Sequence, residues 1–213
     1  MSPYYLLLSP HEVFLAGNAM DVITENSKAF IFSVLGTIRR LPDMMLSGYP
    51  GLYHHQRNNS VLAFGGGFLD PKCEVQSYSL ALNRWEWLDQ QMSYALNFFQ
   101  PCEYLSLVYL IKGRTPAIQY YCLKTATIHI MQVTPSAMDG CGGVFAVTVP
   151  YKGRTYQFNH RCYTIVDLEK RTSTQTQRLV IHPYATIGRA IIGKTYISVG
   201  FPYYWVTSLD TFD

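Results

Sequence analysis

Short apolar runs that end at glycine punctuate the chain. They are Val13-Phe14-Leu15-Ala16-Gly17, Val61-Leu62-Ala63-Phe64-Gly65-Gly66, Val108-Tyr109-Leu110-Ile111-Lys112-Gly113, Val147-Thr148-Val149-Pro150-Tyr151-Lys152-Gly153 and Tyr196-Ile197-Ser198-Val199-Gly200. Each run is four to six residues of strand-forming chemistry closed by a residue that turns the chain. From Gly17 to Gly66, Gly113, Gly153 and Gly200 the steps are 49, 47, 40 and 47 residues. No solenoid of roughly 33-residue helical pairs gives these steps, and no window sustains a 3.6-residue apolar period.

A second pattern follows each glycine. Val75-Gln76-Ser77-Tyr78-Ser79-Leu80 through Trp85 to Leu88 aligns without a gap on Ile118-Gln119-Tyr120-Tyr121-Cys122-Leu123 through Ile128 to Met131. Phe30 to Leu41 repeats it one residue shorter, and Cys162 to Leu168 repeats it more loosely. Period-2 alternation predicts two strands joined by tight turns at Ala81-Leu82-Asn83-Arg84 and Lys124-Thr125-Ala126-Thr127. Another short strand is predicted upstream of each glycine run, at 4–8, 51–55, 101–105, 142–146 and 186–191. Four short strands every 40 to 49 residues predict an all-β chain of four-stranded antiparallel blades, a β-propeller. The approximate repeats are 1–47, 48–98, 99–138, 139–183 and a partial fifth at 184–213. One such sheet leaves an apolar face open, so neighbouring sheets must stack.

The chain resembles the kelch-repeat family on two features. A hydrophobic run ends in the doublet Gly65-Gly66, and Tyr78 and Trp85 follow with six residues between them. The other repeats are degenerate, with Ala16-Gly17, Lys112-Gly113, Lys152-Gly153 and Gly200-Phe201 at the doublet. The resemblance implies a propeller used to bind other proteins, with fewer repeats than the family usually carries. On that reading Gly65, Gly66, Tyr78 and Trp85 are structural, and Trp85 packs between adjacent blades.

Composition narrows the class without naming an activity. Of the 213 residues 48% are apolar, 15% aromatic and only 15% charged, which excludes a disordered tail or a coiled coil. A net charge of +3, evenly spread, is no footprint for nucleic acid. The longest stretch free of Asp, Glu, Lys and Arg is the 15 residues from Thr195 to Leu209, too short to span a bilayer and broken by Gly200 and Pro202. The first residues lack a basic segment before their apolar run, so no signal peptide is expected. Five dispersed cysteines with no Cys-x-x-Cys read as reduced side chains, and the expected compartment is the cytoplasm.

Candidate chemistry is sparse. His54 and His55 are adjacent on a predicted strand and point to opposite faces, a poor metal site. Gly65-Gly66-Gly67 is followed by neither Gly-Lys-Ser/Thr nor a helix, so it is no phosphate loop. Few titratable residues are expected on the inner strands, so no catalytic residue, metal or cofactor is assigned. The tetrapeptide Lys-Gly-Arg-Thr occurs at 112–115 and 152–155, in both cases read as the turn after a second strand. These turns would share one rim, with Asp21, Asp70, Lys72, Arg114, Arg154 and Tyr203 as candidate partner contacts. The cluster Phe201-Pro202-Tyr203-Tyr204-Trp205 is assigned to the equivalent turn of the last repeat. The function expected is a non-catalytic protein-interaction module or scaffold, with no nucleic acid or membrane partner. Self-association, or completion of the propeller by another chain, accompanies it. The alternatives are a kelch-like enzyme of the sugar epimerase or oxidase type, or a degenerate structural subunit of a larger complex.

Overall fold

The computed structural model describes residues 4–17, 28–45, 48–67, 70–97, 99–111, 117–133, 147–158, 163–176, 186–192, 195–200 and 204–208. The first sheet joins β1 (Tyr4–Ser9), β2 (Glu12–Gly17), β3 (Lys28–Ser33) and β4 (Ile38–Arg40) in chain order. The second joins β5 (Gly51–His55), β6 (Ser60–Phe64), β7 (Val75–Ser79) and β8 (Arg84–Trp87). The third joins β9 (Cys102–Tyr104), β10 (Leu107–Leu110), β11 (Ala117–Cys122) and β12 (Thr127–Gln132). The fourth joins β13 (Val147–Tyr151), β14 (Arg154–Phe158), β15 (Tyr163–Asp167) and β16 (Thr172–Thr176). The fifth has three strands, β17 (Thr186–Ile192), β18 (Thr195–Gly200) and β19 (Tyr204–Ser208). All neighbours are antiparallel. Among the described residues the helical content is one short 3-10 turn, Gln56–Asn58.

The fourth sheet departs from the expected repeat. The run 147–151 is its first strand, and Lys152-Gly153 is the hairpin into β14. Both turn residues have positive φ, 48° and 73°, the backbone of a two-residue hairpin whose twist matches its strands. Gly153 therefore closes a first-to-second turn and does not mark the end of a second strand. The strand expected at 142–146 lies outside the described residues.

One backbone bond recurs in four sheets and sets which turns share a rim. Val34 N–H donates to the His11 carbonyl, Leu80 to Asn59, Leu123 to Ser106 and Leu168 to Gly153, at 2.9 to 3.1 Å. Each bond ties the third-to-fourth turn to the first-to-second turn of its own sheet. The first strands lie innermost: β1 touches β5 and β9 touches β13. The fourth strands face solvent, and all three residues of β4 are exposed.

In the second and third sheets the middle strands bury residues on both faces. On β6, Val61 and Ala63 join a cluster with Phe14, Ala16, Ala29 and Ile31 of the first sheet, while Leu62 and Phe64 join Val108, Leu110 and Tyr121 of the third. A third cluster sets Tyr109, Ile118 and Met131 against Val166 and Leu168. Trp85 sits at the first of these junctions, 5.1 Å from the Tyr78 ring and 6.1 Å from Phe14. Its indole N–H donates to the Pro42 carbonyl at 3.0 Å, so the one polar atom of the ring is satisfied across the junction. Trp85→Ala should therefore cost about 3–5 kcal/mol in a urea unfolding experiment; an unchanged midpoint would contradict this junction.

Candidate functional site

Two glutamines hold the segments that link one sheet to the next. Gln76 and Gln119 occupy equivalent places on the third strands β7 and β11, and both are fully buried. Gln119 Oε1 accepts the Ser93 N–H at 2.5 Å and the Tyr94 N–H at 3.4 Å, while its Nε2 donates to the Tyr94 carbonyl at 2.9 Å. The Tyr94 hydroxyl in turn donates to the Ala117 carbonyl. One sheet earlier Gln76 Oε1 accepts the Met45 N–H at 3.2 Å, while its buried Nε2 has no partner among the described residues. A buried backbone segment outside a ladder needs such partners. Sequence reasoning missed this pair; the aligned Gln-x-Tyr at 76–78 and 119–121 is the signal that could have found it.

The innermost strands carry more ionisable groups than expected. Tyr53 on β5 donates its hydroxyl to Glu103 on β9 at 2.5 Å, between the second and third sheets. Tyr104 on β9 makes the same kind of bond to Glu169, in the turn after β15. Burial, followed by the bond to Glu103, pushes the Tyr53 phenol well above its usual range. The Tyr104 phenol is raised first by its bond to Glu169. His55 lies beside Tyr53, with ring centroids 6.5 Å apart. Burial lowers the pKa of His55, opposed by Glu103 and assisted by Arg57. Burial also lowers that of His54, whose Nδ1 is buried with no hydrogen-bond partner among the described residues. Among the described residues no group of three His, Cys, Asp or Glu side chains is arranged to hold a metal ion. Phenol and carboxylate satisfy one another in both Tyr–Glu pairs, so each works as a tie between sheets.

The expected rim residues separate. Asp70 and Lys72, in the loop after β6, form an ion pair with each other. Arg154 opens β14 beyond the first-to-second hairpin and pairs with Asp167 on β15 at 3.6 Å. Arg154 is thus at the opposite end of its sheet from a turn that follows a second strand; the first Lys-Gly-Arg-Thr copy, 112–115, lies outside the described residues. Asp21, Arg114 and Tyr203 lie outside the described residues, as do 201–203; Tyr204 and Trp205 belong to β19 and not to a turn. Gly65 and Gly66 follow β6 with φ of 60° and 127°. A Cβ on Gly65 would lie 2.3 Å from the Leu96 carbonyl oxygen, so the doublet allows the linker to approach. Of the three described cysteines, all free, Cys102 is buried, which pushes its thiol up to about 12.

A different set of turn residues is presented outward. Leu35, Leu82 and Leu105 are 87%, 63% and 73% exposed. They lie in a third-to-fourth turn of the first sheet, a third-to-fourth turn of the second and the first-to-second turn of the third, all on the rim set by the recurring backbone bonds. Leu105 and Ser106 have φ of 52° and 62°, a conformation that favours Asn and Gly and penalises Leu. A leucine there is unfavourable both for its backbone and for its hydration. The signal was present in sequence as an apolar residue inside each polar turn.

No protein-family model matches the sequence, and no curated protein does. Among solved structures the chain is similar to YjhT, with a TM-score of 0.69 and 10% identity, over 94% of this chain and 73% of that one. The fold is all-β and propeller-like. At that identity the likeness carries the architecture of the blades and no chemistry. No helix among the described residues is long and apolar enough to cross a membrane.

Gln119→Leu removes the amide's three bonds to the Ser93 and Tyr94 backbone and should lower stability by about 2–3 kcal/mol in denaturant titration; a change within error would mean water replaces the amide. His54 and His55 are held neutral, with folded pKa values below the ordinary value of about 6.5. Their contribution is full above about pH 6.5 and is lost as pH falls below it, because the unfolded chain takes up the protons first. Melting temperature should fall between about pH 7 and about pH 5, and His55→Gln should flatten that slope. Parallel slopes would remove His55 as the cause.

Proposed function

We propose that the chain is a non-catalytic interaction module, a propeller-like scaffold that binds a protein partner through turns on one rim. The observation that carries this reading is the exposed set Leu35, Leu82 and Leu105, with Leu105 held at positive φ. Unfavourable backbone conformations persist where a function uses the side chain. Exposed apolar anchors on a rigid framework are also the ordinary chemistry of a binding surface. The earlier candidates Asp70, Lys72 and Arg154 are engaged within the chain, so they support the reading less.

A propeller enzyme of the sugar epimerase or oxidase type is the second reading. The Tyr53–Glu103 pair beside His55 on the innermost strands favours it, because phenol, carboxylate and imidazole are acid–base groups. The first reading is preferred because phenol and carboxylate already spend their hydrogen bond on each other.

The two readings separate by mutation. Leu105→Asn should raise stability by about 0.5–1 kcal/mol, since Asn tolerates the turn. Together with Leu35→Ser and Leu82→Ser it should abolish capture of partners from an extract while the fold stays intact. Full capture by the triple variant would sink the rim reading. Loss of function in Glu103→Gln without loss of stability would favour the enzyme.

A further inference from the structure

Charge is evenly spread along the sequence, but the topology sorts it between the two ends of the sheets. The first-to-second and third-to-fourth turns of the second, third and fourth sheets carry Arg57, Lys124, Lys152, Lys170 and Arg171, all exposed, against one carboxylate, Glu169. Glu169 is bonded to Tyr104, and Glu103, two residues before Leu105, is taken up by Tyr53. Lys170 lies 3.9 Å from Asp167. Arg57, Lys124 and Arg171 form no ion pair among the described residues. At the other end of these three sheets the described charges are Asp70, Lys72, Glu74 and Asp89, and Lys72 is paired with Asp70. Two of the rim cations also occupy turn positions that penalise them. Asn83, Ala126 and Arg171 are equivalent places in three sheets, with φ of 52°, 56° and 56°. Asn suits that backbone and Arg does not. Lys152 has φ of 48°, and its ammonium lies 4.8 Å from the centre of the Tyr151 ring.

We propose that the partner of this rim is an acidic protein segment that also carries apolar side chains. Its carboxylates meet Arg57, Lys124, Lys152 and Arg171, and its apolar residues meet Leu82 and Leu105. The inference rests on the rim reading and names the chemistry of what the rim takes. Exposed cations gathered at one end, with the nearby carboxylates already bonded, set up a field that an anionic partner satisfies. The leucines among them are 63% and 73% exposed and call for apolar contacts, which a phosphate backbone does not supply. Asparagine at 152 or 171 would relieve the backbone and lose the charge, so the cations are kept at a cost.

Selection from a random peptide display library against the chain, followed by titration of the best-enriched peptides, tests this. Those peptides should be acidic and contain leucine or aromatic residues. Their Kd should rise at least about tenfold for Lys124→Gln with Lys152→Asn and Arg171→Asn, chiefly through slower association, and should rise with ionic strength. That variant should melt no lower than the wild type, because two of its substitutions relieve positive φ. Arg57→Gln with Lys124→Gln should act in the same direction, which guards against a folding defect in the first variant. Leu82→Ser with Leu105→Asn should instead speed dissociation. Peptides without acidic bias whose binding is lost only in the leucine variant would overturn the acidic partner and leave the rim reading standing. Acidic peptides that bind every variant like the wild type would overturn both, and a failure to enrich any peptide overturns the proposal. A single-stranded oligonucleotide or a phosphatidylserine vesicle that binds more tightly than the peptides, and loses binding in the charge variants, would make the rim a surface for nucleic acid or membrane and also overturns it.

Discussion

Every residue of β6 is buried, and that requires both faces of its sheet to be covered. Successive side chains of a strand point to opposite faces, so Val61 and Ala63 meet one neighbour while Leu62 and Phe64 meet the other. The second sheet could not be stable as an isolated four-stranded unit with both faces apolar. Stability is therefore shared between sheets, and the junctions are its units. At about 25 cal/mol per Å² of apolar surface removed from water, one well-filled junction outweighs any exposed ion pair in the molecule. The stacked array is what holds the outer turns and inner strands in place.

Some polar groups in the junctions tie one sheet's strands to the next linker. Trp85 gives its N–H to Pro42, Gln119 ties three backbone groups of 93–94, and Gln76 accepts from Met45. Nearer the axis, Tyr53–Glu103 and Tyr104–Glu169 join consecutive sheets. These bonds add little net free energy each, but they fix the rotation of one sheet against the next. Apolar contact alone specifies that less sharply, because it lacks direction. A rim is useful for binding only if the turns on it keep their relative positions, so the interior ties and the exposed leucines belong to one argument.

The chain pattern determined the all-β class, the four-strand grouping and the strand pairs of the first three sheets. Period-2 alternation and turn residues act locally, and the gapless match of 75–88 to 118–131 carries them from one repeat to the next. The kelch resemblance implied Trp85 as a residue packed between blades, and its ring lies against Tyr78 and Phe14. The fourth repeat was misaligned because glycine after an apolar run is ambiguous. The same residue ends a second strand after Phe64 and closes a hairpin at 153, and only pairing partners distinguish the two. Tertiary structure alone decided which end of each sheet a turn occupies, that Asp70 and Lys72 answer each other, and that Arg154 answers Asp167. It alone brought Tyr53 to Glu103 across 50 residues of sequence. Those outcomes depend on the rotation and register of one sheet against another. Such long-range geometry arises from side-chain volumes at several junctions together, and no short stretch of sequence encodes it.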